Sequence, residues 1–305
     1  MDILTLESVT KDYDKHRAVD NVSFSVPAGS VYGLLGPNGA GKTSLIRIIT
    51  TITRADSGRV LLDGQPLDTN APSQIGYMPE ERGLYKKMKV GEQLMYLAQL
   101  KGMNRKEAKK ALMHWLEKFG ITDWWDKKIE ELSKGMQQKI QFIATVVHRP
   151  KLLILDEPFS GLDPINANLI KDEIHELNQA GSSIIFSTHR MEQVEEICEY
   201  ISLINQGKNV LNGKVADVKQ QFKQHLFSIG YGGELPADLS SDEHAEFTVA
   251  DHRDGEILVK IADDTASNNV LQYLIQKGVH IRSFHEILPT LNEIFIRQVS
   301  GAKRN

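Results

Sequence analysis

The chain has 305 residues, which is enough for two ordinary domains, and its 25% charged and 41% hydrophobic residues are typical of a soluble globular protein. The net charge of −4 excludes nucleic-acid or membrane binding that depends on overall positive charge, although a local basic site stays compatible with it. Cys198 is the only cysteine, so the sequence excludes a disulfide framework and a cysteine-based metal site and fits a reducing cytosol.

The apolar runs of the sequence bear on its location. The amino terminus is charged within two residues, which argues against a secretory signal, and no apolar run approaches the roughly 18 residues of a membrane span. If the protein acts at a membrane, we therefore expect another chain to cross it.

The predicted elements begin with strands. Residues 4–9 and 22–26 alternate between apolar and polar side chains, and residues 31–35 form the short apolar run of a buried parallel strand. A glycine-rich turn follows, and residues 44–49 predict a helix. This order of strand, glycine turn and helix indicates the start of a βα unit.

The middle of the chain changes to a helical pattern. Apolar residues recur at helical spacing over about residues 90–149, so we expect a helical segment inserted into an α/β chain. Residues 152–155 and 184–187 then predict buried strands. Residues 201–204 and 210–211 predict a closing hairpin around a turn at Asn205, Gln206 and Gly207.

A second domain is predicted after this hairpin. We place the first domain at residues 1–218 and a small α+β domain at residues 219–305. Its predicted elements are strands at 226–229, 246–249, 257–261 and 281–284, a turn at 251–255, and helices at 268–277 and 291–299.

A phosphate-binding pattern, G-x-x-x-x-G-K-T, runs from Gly36 to Thr43. Its glycines let backbone N–H groups approach phosphate, Lys42 would neutralise the β- and γ-phosphates, and the Thr43 hydroxyl would contact Mg²⁺. The alternative is a simple turn, but the strand before it and the helix after it favour a nucleotide site. The predicted nucleotide contacts in this segment are Gly36, Asn38, Gly39, Ala40, Gly41, Lys42, Thr43 and Ser44.

Two carboxylates follow the buried strand at residues 152–155. Asp156 would hold Mg²⁺, directly or through water, and Glu157 would orient or deprotonate an attacking water. The alternative is a solvated acidic turn. Together with the phosphate-binding pattern, the pair predicts an ATP hydrolysis site.

With these motifs, residues 3–215 resemble the ATP-binding subunit of an ABC transporter. Residues 132–138 (LSKGMQQ) are similar to the family's LSGGQ signature, residues 160–163 to its D-loop and His189 to its switch histidine. Tyr13 stands where the family stacks an aromatic ring on adenine, with an ordinary surface tyrosine as the alternative. The resemblance implies a P-loop NTPase with a RecA-like core, an antiparallel β edge and an inserted helical subdomain.

The resemblance also implies a head-to-tail dimer that holds two ATP molecules at its interface, formed with a second copy or with a related ATPase. Ser133 and Gly135 would contact the γ-phosphate bound by the partner, and Asp163 would reach across the interface. His189 would touch the γ-phosphate within the same chain, and Glu157 would act on water.

Two departures from the family pattern affect these expectations. Glu80 stands where the family usually has a metal-contacting glutamine; it can still approach Mg²⁺, but it cannot donate an N–H. In the signature, Lys134 replaces a glycine and Met136 replaces a glutamine. Ser133 and Gly135 keep the phosphate-facing groups, so hydrolysis is still expected.

Residues 80–88 stand where the family receives a coupling helix from its integral membrane permease. We expect Leu84, Tyr85 and Met88 to be exposed there; a solvated loop is the alternative. This segment resembles that of sodium-efflux and multidrug exporters of the ABC-2 type, which also carry a carboxyl-terminal appendage. The resemblance implies an ATPase bound peripherally to the cytoplasmic face of the membrane, with no nucleic-acid partner.

Other functions stay open at this point. A soluble ABC ATPase acting on ribosomes or DNA usually has two nucleotide domains or a long coiled coil, and this chain has one phosphate loop and no sustained heptads. A regulatory module that binds ATP without turnover is the other alternative, which Asp156, Glu157 and His189 disfavour. For the second domain we expect a regulatory or dimer-stabilising role, and its scattered histidines do not have zinc-site spacing.

Overall fold

The computed structural model describes residues 1–14, 16–81, 83–236, 239, 247–262 and 267–301. The chain divides into two compact units, Met1–Val215 and Ala216–Asn305. Glu246, with which we expected a strand to begin, lies outside the described residues.

The first unit alternates strands and helices along the chain. Its strands are β1 (Asp2–Tyr13), β2 (His16–Pro27), β3 (Val31–Leu35), β4 (Ser57–Leu62), β5 (Gln65–Pro66), β6 (Ile75–Met78), β7 (Leu152–Asp156), β8 (Ser183–Ser187), β9 (Tyr200–Asn205) and β10 (Lys208–Lys214). Its helices are α1 (Lys42–Ile49), α2 (Ala71–Gln74), α3 (Val90–Leu100), α4 (Arg105–Lys118), α5 (Lys134–Val146), α6 (Pro164–Gln179) and α7 (Met191–Ile197), with short 3₁₀ segments at Thr122–Trp124 and Ile129–Glu131.

The main sheet has six strands in the order β10-β9-β3-β8-β7-β6. Five of them run parallel, and β10 pairs antiparallel with β9 at one edge. Every residue of β3, β7 and β8 is buried, as their short apolar sequences predict. Because parallel strands end at the same edge, Leu35, Asp156 and Ser187 lie along one carboxyl edge, where open α/β sheets bind ligands.

A second, antiparallel sheet of the first unit has the order β2-β1-β4-β5. Its apolar residues and those of the main sheet belong to one core cluster, which includes Leu4, Phe24, Leu34 and Ile154. Burying each such side chain stabilises the fold by about 1.5–3 kcal/mol. The predicted α/β architecture, with a parallel core sheet, an antiparallel edge and inserted helices, is confirmed.

The inserted helices α3, α4 and α5 lie between β6 and β7 in the chain. The Asn104 side chain accepts a hydrogen bond from Glu107 N (2.9 Å) and so caps the start of α4. Trp115, Phe119 and Phe142 form an aromatic cluster, with 6.2 Å between the Trp115 and Phe142 ring centroids. This packing joins α4 to α5, the helix that begins in the signature.

The second unit has a four-stranded antiparallel sheet in the order β12-β13-β11-β14. The turn predicted at 251–255 is wrong in extent: β12 continues through Arg253, which pairs with Glu256, so only Asp254 and Gly255 form the turn. The apolar core of this unit includes Ile229 and Val259. The elements are α8 (Val215–Gln221), β11 (Leu226–Gly232), β12 (Phe247–Arg253), β13 (Glu256–Ile261), α9 (Ser267–Gln276), β14 (His280–Ile287) and α10 (Leu291–Gly301).

Two further observations concern the predictions about membrane spans and about the cysteine. In the part of the chain that the structure describes, each helix is too short or too polar to cross a membrane. Cys198 is buried, and burial raises the pKa of its thiol far above the usual range.

Candidate nucleotide-binding site

The phosphate loop between β3 and α1 depends on two glycines. Gly36 has φ 149° and Gly41 has φ 106°, values that side-chain-bearing residues rarely adopt. A Cβ on Gly36 would lie 2.1 Å from Ile204 O, and a Cβ on Gly41 would lie 2.2 Å from Ala18 O. Glycine is therefore required at both positions, where β9 and β2 hold the loop from two sides.

The other residues of the predicted phosphate loop differ in exposure. Asn38, Gly39 and Thr43 are exposed, and Ser44 is half-buried in the first turn of α1. Ala40 is buried, and its carbonyl oxygen accepts a hydrogen bond from Gly207 N (2.9 Å). The loop is thus anchored from behind, while its exposed tip and the start of α1 are accessible to a phosphate chain.

Lys42 lies inside this loop. Its Nζ donates hydrogen bonds to Gly36 O (2.8 Å) and Pro37 O (3.1 Å). Burial lowers the pKa of Lys42, and the negative charges of Asp156, Glu157 and Glu80 oppose that lowering. The predicted cation and the three predicted carboxylates therefore act on one another in the same region.

Asp156 ends β7 as a buried carboxylate, with 6% of its surface exposed. Burial raises its pKa, and the charges of Glu80 and Glu157 raise it further while Lys42 lowers it. The charges of three carboxylates and one lysine thus influence one another here, although among the described residues no three acidic, histidine or cysteine side chains are grouped so that they could hold a metal ion. Carboxylate and hydroxyl oxygens are ligands that suit Mg²⁺, and the metal-binding role of Asp156, Glu80 and Thr43 stays a prediction.

Glu157 is held by the two residues that follow β8. Its Oε1 accepts a hydrogen bond from His189 N (2.9 Å) and lies 2.6 Å from His189 Nδ1, while its Oε2 accepts one from Thr188 Oγ1 (3.1 Å). Glu157 also has φ 49°, a strained value for a non-glycine residue and one often seen at functional sites.

This arrangement brings together the predicted base and the predicted switch histidine, and it adds Thr188, which was not predicted as a site residue. The signal for Thr188 was its place directly before His189. We call Gly36–Thr43 with Asp156, Glu157 and His189 the phosphate-loop edge.

Glu80 lies just beyond β6 and is exposed. The preceding carbonyl, Pro79 O, accepts a hydrogen bond from Gln141 Nε2 (2.8 Å). The carboxylate that replaces the expected glutamine is therefore free to meet solvent, while its backbone is fixed by α5.

The signature residues and the D-loop meet at a second place. Ser133 caps α5, because its Oγ accepts a hydrogen bond from Met136 N (3.3 Å), and a Cβ on Gly135 would lie 3.6 Å from Gly161 O. Asp163 caps α6 through Asn166 N (3.0 Å), and that bond is the main reason its pKa is lowered. A cavity of about 490 Å³ here, which we call the signature cavity, is lined by Trp124, Ser133, Gly135, Lys139, Gly161 and Asp163.

Tyr13 lies at the end of β1 and is 40% exposed. Lys11 Nζ lies 5.5 Å from the centroid of its ring. An exposed ring is compatible with adenine stacking, and that role stays a prediction.

The expected docking residues are only partly exposed. Tyr85 is 56% exposed and meets the exposed Tyr96 edge-on, with 6.4 Å between ring centroids. The expectation for Leu84 and Met88 is wrong, because both are half-buried. Gln93 Oε1 on α3 accepts a hydrogen bond from Tyr85 N (3.0 Å), which holds the backbone of the segment against that helix.

Residues 19–160 match the ABC transporter family, and residues 213–299 match the family described as ATP-binding protein DrrA1-3-like, C-terminal domain. The chain is 45% identical over 299 residues to YhaQ, an ABC transporter ATP-binding protein of Bacillus subtilis, covering 98% of this chain and 99% of YhaQ. The chain therefore belongs to the ATP-binding subunits of ABC transporters, and its second unit matches the DrrA-like C-terminal domain.

Two further relatives are named for resistance to particular compounds. The linearmycin resistance ATP-binding protein LnrL of Bacillus subtilis is 37% identical, over 71% of this chain and 70% of its own length. The daunorubicin/doxorubicin resistance ATP-binding protein DrrA of Streptomyces peucetius is 29% identical, over 94% of this chain and 89% of its own length.

Among solved structures, one described as the ATP-binding subunit of an ABC transporter superimposes with a TM-score of 0.68. It is 28% identical and covers 72% of this chain and 93% of its own. The predicted fold and the resemblance stated from the sequence are confirmed.

Proposed function

We propose that this chain hydrolyses ATP and that the cycle of binding and hydrolysis powers a membrane exporter. The observation that carries the proposal is the phosphate-loop edge, which brings together a half-buried lysine, a buried aspartate and a glutamate held by His189 and Thr188. A regulatory module without turnover would not need a glutamate fixed beside a histidine at this edge.

The residues of the edge would divide the work as follows. The backbone of the phosphate loop and Lys42 bind the β- and γ-phosphates, and Glu157 accepts a proton from the attacking water. His189, whose ring contacts Glu157, orients that carboxylate and reaches the γ-phosphate. Asp156, Glu80 and Thr43 would hold Mg²⁺, which supplies charge neutralisation on the phosphate oxygens when bound.

A dimer formed through ATP completes the proposal. The signature cavity contains Ser133, Gly135 and the start of α5, groups that suit an anion, but it lacks a phosphate loop of its own. A second copy or a related ATPase would bring its bound nucleotide into this cavity. Each closed site would then need residues from both chains.

The proposed partner in the membrane is an integral permease subunit. Tyr85, within the segment that follows Glu80, and Tyr96 of α3 form an exposed aromatic pair, which suits docking of a short helix. We place the chain at the cytoplasmic face of the membrane in this assembly. Since LnrL and DrrA are named for resistance to linearmycin and to daunorubicin and doxorubicin, a drug or antibiotic is favoured as the cargo. Sodium efflux stays a prediction from the sequence.

Two experiments test this function. Purified chain should release phosphate from ATP with Mg²⁺, and no release above background would contradict the ATPase. Tagged chain extracted from its native membranes with detergent should bring down a polytopic membrane protein in about equal amount. Recovery of ribosomes, nucleic acid or only soluble proteins would instead favour the soluble ABC ATPase considered above.

The second unit is proposed to regulate or stabilise the dimer. Its match to a domain shared with DrrA-like proteins supports a role tied to this class of ATPase. A variant that ends at residue 220 should turn over ATP but dimerise less readily or lose transport. If dimerisation, turnover and transport are all unchanged, the second unit has neither role.

A further inference from the structure

Two buried glutamines on one face of α5 connect that helix to the phosphate-loop edge. Gln138 Nε2 donates a hydrogen bond to Pro158 O (3.0 Å), and Gln141 Nε2 donates one to Pro79 O (2.8 Å). Residues three apart on a helix share a face, so both side chains leave α5 on the same side. The helix that begins in the signature cavity is therefore bonded to two loops of the core.

Both acceptors adjoin a carboxylate of the proposed reaction. Pro79 precedes Glu80 after β6, and Pro158 follows Glu157 after β7. Because β6 and β7 are neighbouring parallel strands, the two loops leave the same edge of the sheet side by side. One helix face thus holds the backbone beside Glu80 and the backbone beside Glu157.

The burial of these glutamines indicates that their amides have a specific use. Gln138 is 1% exposed and Gln141 is 5% exposed. Among the described residues, Gln141 Oε1 has no hydrogen-bond partner, which is an unfavourable state for a buried polar atom. Leucine has a similar volume and no such cost, so packing alone does not account for glutamine here.

We propose that Gln138 and Gln141 are positioning residues that transmit occupation of the signature cavity to Glu157 and to Glu80, respectively. The inference rests on the ATPase and dimer proposed above. When nucleotide of the partner chain contacts Ser133 and Gly135, α5 shifts as a rigid helix. The two hydrogen bonds make the neighbouring loops follow it, so the chain's own carboxylates reach their working positions only when the cavity is filled.

A matched control exists at the other end of β6. Lys101, the residue that directly follows α3, is half-buried and likewise binds carbonyls of the core, with Nζ donating to Pro72 O (2.6 Å) and Ile75 O (2.9 Å). It ties an inserted helix to the core, as Gln141 does, but at the end of β6 remote from Glu80. Lys101→Met therefore measures the effect of losing hydrogen bonds between an inserted helix and the core without displacing a carboxylate.

Gln141→Leu tests the link to Glu80. We expect an unchanged melting temperature, because the variant removes both a hydrogen bond and an unpartnered buried oxygen. The affinity for a fluorescent ATP analogue should stay the same in EDTA, while the gain in affinity on adding Mg²⁺ should fall about tenfold. Lys101→Met should keep the full gain.

Gln138→Leu tests the link to Glu157. We expect kcat to fall about tenfold with KM for ATP within about twofold of the native value, because binding is kept and only the base is displaced. Gln138→Met, with an unbranched side chain of similar length, replaces this variant if leucine prevents folding.

Each result decides between the proposals. No turnover by the native chain would contradict the ATPase itself. Normal native turnover, with both glutamine variants behaving like Lys101→Met, would overturn the positioning role and leave the ATPase intact. A fall in melting temperature that matches the loss of activity in every variant would also overturn it, because the glutamines would then serve stability alone.

Discussion

The phosphate-loop edge and the signature cavity lie in one domain but differ in how complete they are. At the edge, Lys42 contacts the carbonyls of its own loop and Glu157 is bonded to both His189 and Thr188. In the cavity, the Ser133 and Asp163 side chains accept hydrogen bonds from the first turns of their own helices. The edge is preorganised within one chain, whereas the cavity presents groups that a ligand from outside can use.

This difference separates the part of the proposed reaction that folding prepares from the part that depends on a bound ligand. The phosphate-loop edge lies where neighbouring parallel strands have their carboxyl ends, so its geometry is fixed when the chain folds. A cavity at the starts of two helices supplies N–H groups and helix dipoles, which gain their full effect only when an anion arrives. The following predictions test whether the two places are halves of one site.

The largest effect is expected from Glu157→Gln, which removes the proposed base. We expect turnover to fall about 10²- to 10⁴-fold while ATP still binds, because an amide cannot accept the proton of water. A dimer should accumulate with ATP and be visible by size-exclusion chromatography. Glu196→Gln is the control, since Glu196 pairs with Lys171 at the surface. Normal turnover of Glu157→Gln would exclude Glu157 as the essential base.

Lys42→Ala should act earlier in the cycle. Removing the cation that faces Asp156 and Glu157 should weaken binding of a fluorescent ATP analogue and lower turnover by about 10²- to 10³-fold. Lys151→Ala, which removes a surface lysine paired with Asp63, should change neither. If the two alanine variants bind nucleotide equally well, the Lys42 side chain does not contribute to triphosphate binding.

Mixing two inactive variants tests most directly whether the phosphate-loop edge and the signature cavity are halves of one site. Gly135→Asp adds a carboxylate to the signature cavity, where there is room for a Cβ, and should repel phosphate. Alone, this variant and Lys42→Ala should each be inactive. An equal mixture should recover about a quarter of native turnover, because about half of the dimers are mixed and each has one intact composite site.

No recovery on mixing, with mixed dimers demonstrated by differential tags, would show that the edge and the cavity are not halves of one site. Activity of Gly135→Asp alone would show the same. Either result would leave the binding role of the phosphate loop untouched.

Glu80→Gln should have a smaller effect, and it tests whether Glu80 binds the metal at the phosphate-loop edge. It restores the family's residue but removes one negative charge near Asp156 and Lys42. We expect the Mg²⁺ concentration for half-maximal turnover to rise a few-fold, because a carboxylate binds the metal more strongly than an amide. An unchanged or lower requirement would exclude Glu80 as a metal-binding residue.

The smallest effect is expected from His148, which lies in the same domain as the phosphate-loop edge and the signature cavity. Burial lowers the pKa of His148, just beyond the end of α5, to about 4, with a further contribution from the charge of Lys101. Between about pH 6.5 and pH 4 the unfolded chain then binds more protons at this residue, so its contribution to the free energy of unfolding falls as the pH falls. Denaturant unfolding of His148→Gln should show a weaker loss over this window, and an identical loss would contradict the shift.

Much of the edge could be predicted because its motifs are local. The glycines, Lys42 and Thr43 are consecutive, and Asp156 and Glu157 end an apolar run, so spacing alone indicated their chemistry. The strand that precedes them is buried on all sides, and such strands have a clear sequence pattern.

The connections between motifs could not be predicted in this way. The bond between Gln141 and Pro79 joins residues 62 apart, and nothing in either local sequence indicates its partner. The resemblance predicts exposed Leu84 and Met88 because they stand where the family receives a coupling helix, but both side chains are half-buried. Burial of such residues depends on tertiary packing rather than on local pattern.

One buried residue has a practical consequence for labelling. Cys198 is the chain's only cysteine, it is buried, and its raised pKa keeps it a thiol at neutral pH. Since maleimides and spin labels react with the exposed thiolate, the folded native chain is already an almost unreactive background. A single cysteine placed in the signature cavity could therefore carry a fluorophore without prior replacement of Cys198, and the approach of a second chain could be followed in real time.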